Sequence, residues 1–264
     1  MSEVYFFFGK GGVGKTTVSI IFGMKKSKEK KTKVVSIDPA HNISDILKIK
    51  LKKDKDIQIF EGFYVKEVST EKLLKEEKKR IKERLRKIYS YLVAMNLEHI
   101  LKLVEYTPGF EEQAIITSVE KELKNSKDYV LIFDSPPTAL SLRFLYTIIT
   151  TSLWIEKLYN LRKDINKTKE IIYEERIEDP LLSWLFEKTN EYHKIIEKIK
   201  DACFFVVEDG LFPSREEGKR IIKTLKSMGF KKTKRFINKG ENLPFLESPY
   251  GVNNLKKYTS LLKI

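Results

Sequence analysis

The chain has 264 residues, with 51 Lys and Arg against 37 Asp and Glu, a formal charge of +14, 41% hydrophobic residues and one cysteine. That length suits one large α/β domain with insertions, or at most two small domains, and the apolar share is enough for a sizeable core. A single cysteine excludes a disulfide framework and an intrachain zinc cluster, and no run approaches the roughly 18 uninterrupted apolar residues of a membrane span.

Val4-Tyr5-Phe6-Phe7-Phe8 opens the chain as a continuous apolar, aromatic-rich run, the pattern of a buried parallel strand. Gly9-Lys10-Gly11-Gly12-Val13-Gly14-Lys15-Thr16-Thr17 follows at once and fits G-x-x-x-x-G-K-[ST], the phosphate-gripping loop. Glycines let successive backbone N–H groups turn inward around phosphate oxygens, and the helix behind them points its positive end at the same place. Lys15 is placed to reach the β- and γ-phosphates, and the Thr16 hydroxyl to ligate Mg²⁺. Lys10 is an additional charge that the ordinary loop lacks. Val18, Ile21, Phe22 and Met24 then recur at helical spacing. Strand, loop and helix in that order predict a nucleotide site whose cradle is Lys10, Gly11, Gly12, Val13, Gly14, Lys15, Thr16 and Thr17.

Lys33–Ile37, Tyr64–Val68, Tyr129–Phe133 and Cys203–Val207 read as further strands, and Arg235-Phe236-Ile237 as a weaker sixth. Helical stretches separate them, which predicts a doubly wound, mostly parallel α/β sheet within one domain over residues 1–264. Two longer helical blocks are inserted, at about 69–106 and 144–200. The first opens with the charge-dense stretch Glu71–Lys87, a solvated face with i, i+4 pairs. Ile81, Leu85, Ile88, Leu92 and Met95 recur in it, and its apolar face broadens from Ile88 to Val104. The second carries Phe144, Leu145, Ile148, Leu153, Trp154 and Leu158, then Leu181, Trp184 and Phe186. These stripes have two readings, packing of helices in a core or a groove for an apolar partner helix. Cys203 is expected to be an inert core thiol.

Asp38, in Asp38-Pro39-Ala40-His41-Asn42, follows a strand at the edge where α/β sheets bind ligands. It could orient an attacking water or meet Mg²⁺ through water, while His41 is as readily structural. Asp134, in Asp134-Ser135-Pro136-Pro137-Thr138, follows four apolar strand residues, the pattern of a carboxylate that holds Mg²⁺ through water. The prolines stiffen a loop able to order with a triphosphate and relax after hydrolysis.

Lys10–Thr17, Asp38–Asn42 with Asp45, Asp134–Thr138 and the trailing Leu142-Arg143-Phe144-Leu145 together resemble the arsenical-pump ATPase (ArsA) family, whose members include ATPases that guide tail-anchored membrane proteins. Thr107-Pro108-Gly109-Phe110-Glu111-Glu112 resembles that family's P-G-x-x-E segment, and the matches run in order over about residues 3–240. The resemblance implies a P-loop ATPase using ATP and Mg²⁺, a homodimer formed with ATP, and an apolar client helix held by the helical blocks. It implies that Lys10 reaches the partner subunit's nucleotide, that Asp38 orients the hydrolytic water, and that Asp134–Thr138 forms the second switch. Asn238 matches an adenine-reading Asn, and Leu243-Pro244-Phe245 the adenine loop, giving Pro244 and Phe245 as candidate contacts.

The chain also departs from the family. The segment that carries a C-x-x-C zinc pair in targeting relatives is missing between Asn238 and the last helix, so no zinc is expected. Pro136, Ala139 and Leu140 replace the commoner Ala, Gly and His, and Glu208 and Asp209 are offset from the family's acidic position. Arsenite binding needs several thiolates and is not expected. Lys and Glu are abundant while Gln (two) and Met (four) are scarce, a skew of proteins that work hot. The alternative source of the charge is a polyanionic partner, as in a ParA/MinD-like ATPase acting on DNA or a membrane surface. A third alternative is a reduced paralogue that binds ATP without client capture. Without an apolar leader, the chain is expected to be cytoplasmic, with nucleic acid not a partner and membrane contact at most transient.

Overall fold

Five consecutive apolar residues leave neither face of β1 (Val4–Phe8) fit for water, so the strand belongs inside a sheet covered on both sides. The computed structural model, which describes residues 3–39, 43–88, 109–175 and 178–264, places it there. With β2 (Thr32–Ser36), β3 (Ile57–Phe60), β4 (Phe63–Glu67), β5 (Val130–Asp134), β6 (Cys203–Glu208) and β7 (Thr233–Ile237), it forms a seven-stranded sheet in the order β3-β4-β2-β5-β1-β6-β7. All pairings are parallel except β3 with β4. The sequence-predicted Ala40, His41 and Asn42, the residues Leu92, Met95, Thr107 and Pro108, and the side chains of Ile81, Leu85 and Ile88 lie outside the described part.

Phe6 and Phe8 point into one core layer and Phe7 into the other. In the first layer Phe6 stacks on Phe133 of β5 at 4.7 Å and on Phe204 of β6 at 5.2 Å, its register partners on either side. Cross-strand aromatic pairs of this kind add to the burial that already favours the central strands. α1 (Lys15–Lys26), α2 (Ile43–Leu47) and α8 (Val252–Tyr258) cover the Phe7 face. α4 (Phe110–Asn125), α5 (Thr138–Tyr173), α6 (Pro180–Asp201) and α7 (Phe212–Ser227) cover the Phe6 face, and α3 (Thr70–Ile88) packs along α4. Lys33 and Lys66 both reach the buried carboxylate of Glu122, at 3.2 and 2.7 Å, which fixes α4 over β2 and β4.

Two features depart from the sequence reading. The antiparallel edge strand β3 escapes it because Ile57–Phe60 is only four residues long and half-buried, too short to show alternation. The second helical block is two helices, and α5 starts at Thr138, right after the β5 loop. Asp179 turns the chain between them. Its carboxylate accepts from the backbone N–H groups of Leu181 and Leu182, capping α6, and from Arg162 Nε at 2.6 Å and Asn166 Nδ2 at 2.7 Å on α5. Those partners, Arg162 foremost, hold its carboxyl down at about 2.

Candidate nucleotide site

Because β1, β2, β5, β6 and β7 run parallel, their carboxyl ends share one edge, where loops of an α/β sheet gather a ligand. The loop after β1 crosses that edge very close to β6. A Cβ on Gly9 would sit 2.4 Å from the Val207 carbonyl oxygen, so only glycine lets the loop pass. Gly14, left-handed at φ 88°, ends the loop as the N-cap of α1. A Cβ there would lie 2.4 Å from Nδ2 of Asn238, at the end of β7. Asn238 uses that amide to donate to the Val13 carbonyl at 2.8 Å, so β7 braces the cradle from below.

The first turn of α1 brings Lys15 and Thr16 into the interior. Lys15 Nζ donates to the Lys10 carbonyl at 3.2 Å. Burial pushes the Lys15 pKa down, opposed by the charges of Asp134, Asp38 and Glu217. Thr16 Oγ1 donates to Asp134 Oδ2 at 2.8 Å, and the Ser36 hydroxyl donates to the same oxygen at 3.4 Å. Asp134, the last residue of β5, is fully buried, and burial raises its carboxyl to about 7. Its Oδ1 and the neighbouring Ser135 hydroxyl have no hydrogen-bond partner. Buried polar atoms left unpaired are costly and call for a missing ligand.

That orphan oxygen beside the Thr16 hydroxyl fits Mg²⁺, a hard cation that takes one or two protein oxygens and completes its shell with phosphate and water. Among the described residues no cluster of three or more His, Cys, Asp or Glu could hold a metal unaided.

The structure therefore brings together Gly14, Lys15, Thr16, Asp38, Asp134 and Asn238. Asp38 lies buried two residues beyond β2. Lys10, Gly11 and Gly12 are exposed on the outer turn of the loop, with Val13 buried beneath and Thr17 half-buried. Leu243 bridges to Asn238 and is buried, while Pro244 and Phe245 are exposed, Phe245 by 70%. Glu208 is fully buried and held by Arg235 Nε at 2.7 Å; Asp209 accepts from the Leu211 N–H. Sequence reasoning passes over Ser36 and Glu217. Ser36 carries a faint signal, a hydroxyl in a strand whose every residue is buried. Glu217 carries none, since its place depends on how α7 packs.

Comparison with known proteins agrees with this geometry. Residues 2–250 match the family model for anion-transporting ATPases. A protein of Aquifex aeolicus (strain VF5) named arsenical pump-driving ATPase 2 is 31% identical over 244 residues, covering 90% of this chain and 80% of its own. A second from the same organism, named arsenical pump-driving ATPase 1, is 31% identical over 173 residues, 62% of this chain and 43% of its own. An ATPase ASNA1 homolog of Plasmodium falciparum (isolate 3D7) is 27% identical over 194 residues, 73% of this chain and 48% of its own. The chain thus spans most of the first relative and less than half the length of the other two.

Proposed function

This chain belongs to the anion-transporting ATPase family and is an ATP hydrolase, and from that premise we propose that it works as a nucleotide-switched dimer that captures and releases an apolar client segment. One observation carries the reading: an exposed apolar stripe on α5, the helix that begins where the Asp134–Pro137 loop ends. Tyr146, Leu153, Trp154, Leu158, Leu161 and Ile165 share a helix face and are 38–68% exposed. A contiguous apolar face left to water marks an interaction site more often than a scatter of single residues does. By length and composition α5 could cross a membrane, and only 28% of its most apolar window is buried. Phe144, Leu145 and Ile148 nevertheless anchor its start in the sheet core, which favours a docking face.

In this reading Lys15 neutralises the terminal phosphates, and Asp38 holds the attacking water in line. Phosphoryl transfer depends mainly on such positioning and charge neutralisation. Thr16 and Asp134 would hold Mg²⁺, which offsets phosphate charge when bound. The exposed Lys10 extends to the partner subunit's triphosphate, so that ATP joins the two protomers.

Light scattering on Asp38→Asn, which should bind ATP without turning it over, tests the dimer: a dimer with ATP alone is expected, and a monomer with ATP overturns the trans-lysine arrangement. Photo-crosslinking to an apolar transmembrane peptide tests the client. Labels confined to α5 and α6 support it, and no labelling leaves an ATPase without client capture. The +14 balance is the one observation favouring a second reading, a positioning ATPase on DNA or a membrane surface. ATP-dependent, salt-sensitive binding of random duplex DNA would select it.

A further inference from the structure

Thr138, the first residue of α5, donates its hydroxyl to Glu217 of α7 at 2.6 Å, a contact across 79 residues of sequence. The packing of α7 puts Glu217 there. Gly218 lets α7 press against β6, since a Cβ at that position would lie 2.0 Å from Glu208 Oε1. Glu208 is itself fixed by Arg235, and the Ser214 hydroxyl accepts from the Asp209 N–H at 3.2 Å. α7 is therefore held in register with the end of β6. On the α5 side, the Ser141 hydroxyl donates to the Pro136 carbonyl at 2.6 Å, so the loop after β5 and the first turn of α5 are tied together.

Glu217 also acts at longer range. Its charge acts on the buried ammonium of Lys15, alongside those of Asp134 and Asp38. The carboxylate that binds the hydroxyl starting the apolar helix thus lies within electrostatic reach of the phosphate cradle, to which the loop before that helix is itself tied by the Thr16–Asp134 hydrogen bond. A terminal phosphate arriving at Lys15 adds like charge within reach of that carboxylate in a partly buried site, where repulsion is weakly screened.

We propose that Glu217 is a positioning residue that latches α5 to α7 while Lys15 carries no phosphate, and that surrenders Thr138 when a γ-phosphate takes the lysine. The proposal rests on the reading of α5 as the switched, client-facing element. It adds the part that links nucleotide to helix. Linkage requires the effect to be reciprocal: whatever the γ-phosphate does to the latch, the latch does to triphosphate affinity.

The test uses three variants of the full chain and two readouts. Glu217→Gln keeps an acceptor for Thr138 but removes the charge, Thr138→Val removes the hydroxyl, and Thr138→Ser retains it. Dissociation constants are measured for ADP and for a non-hydrolysable ATP analogue with Mg²⁺. Intrinsic fluorescence is recorded without nucleotide, since the chain's two tryptophans, Trp154 and Trp184, lie on α5 and α6. Glu217→Gln is expected to favour the triphosphate over ADP by roughly 5- to 20-fold relative to the unaltered protein. Thr138→Val should shift the nucleotide-free spectrum toward that of the triphosphate-bound protein, and Thr138→Ser should keep the spectrum of the unaltered protein. Equal changes for ADP and triphosphate, or an unchanged nucleotide-free spectrum in Thr138→Val, would overturn the latch. Neither readout involves a client, so a failed peptide crosslink together with a shifted triphosphate preference refutes the capture reading and leaves the latch standing.

Discussion

The nucleotide pole and the α5–α6 hairpin break the ordinary partition of residues in opposite ways. At the pole, Lys15, Thr16, Asp38, Asp134 and Ser135 are buried, though groups of these types usually face water. On the hairpin, Trp154, Ile171 and Ile172 are each about two-thirds exposed or more, though such side chains usually face inward. Both departures cost stability in the isolated chain, and each identifies what would relieve it. Buried, unpaired oxygens call for a cation and phosphates; an uncovered apolar stripe calls for another apolar surface.

The largest expected effect lies at the pole. Lys15→Ala should lower ATP turnover by about a thousandfold or more, since it removes the charge placed at the transferred phosphoryl group. Phosphate release measures it, and retained turnover would overturn the site. The second effect is the pH dependence of the nucleotide- and magnesium-free protein. Asp134 has a folded pKa raised to about 7 by burial, so its contribution to stability is fully present below about pH 4, where the carboxyl is protonated folded or unfolded. That contribution declines as the pH rises, and is gone once the pH has passed the folded value. Urea denaturation at pH 5 and pH 8 should show unaltered protein losing on the order of 3 kcal/mol more than Asp134→Asn. Parallel profiles would contradict it.

At the hairpin, a double change Leu158→Asp with Leu161→Asp should weaken capture of an apolar peptide by about tenfold or more, as expected for central anchors of an apolar contact. ATP turnover without peptide should stay within about twofold. If capture survives, the stripe is not the docking face. The smallest effect is at the turn. Asp179→Ala removes the cap of α6 and its ties to Arg162 and Asn166, and hydrogen exchange should quicken at the Leu181 and Leu182 amides without touching those of the phosphate loop. Because the Asp179 pKa is depressed, the tie in unaltered protein persists above about pH 4 and fails as the pH falls through about 2.

The two regions also differ in how much of them the sequence discloses. The cradle is written in nine consecutive residues whose spacing is imposed by the size of a phosphate, and the structure gathers those residues with Asp38 and Asp134 at one edge. The hairpin is different. Its apolar repeats predict helix but not which side meets water, so Phe144 and Trp154 look alike in sequence, yet one is fully buried and the other two-thirds exposed. β3 stays hidden in the sequence for a related reason: four half-buried residues at a sheet edge show too little alternation to register.

By itself the chain of residues determined the strand–loop–helix start, the parallel sheet and the family, because each rests on local spacing or on continuous apolar runs. Tertiary structure decided the rest. It turned Asn238 into a brace under Val13, raised the Asp134 pKa by enclosing it, set Glu217 opposite Thr138, and left one face of α5 uncovered. Those outcomes depend on which distant segments come into contact and on how much water they exclude, quantities fixed only when the helices pack on the sheet.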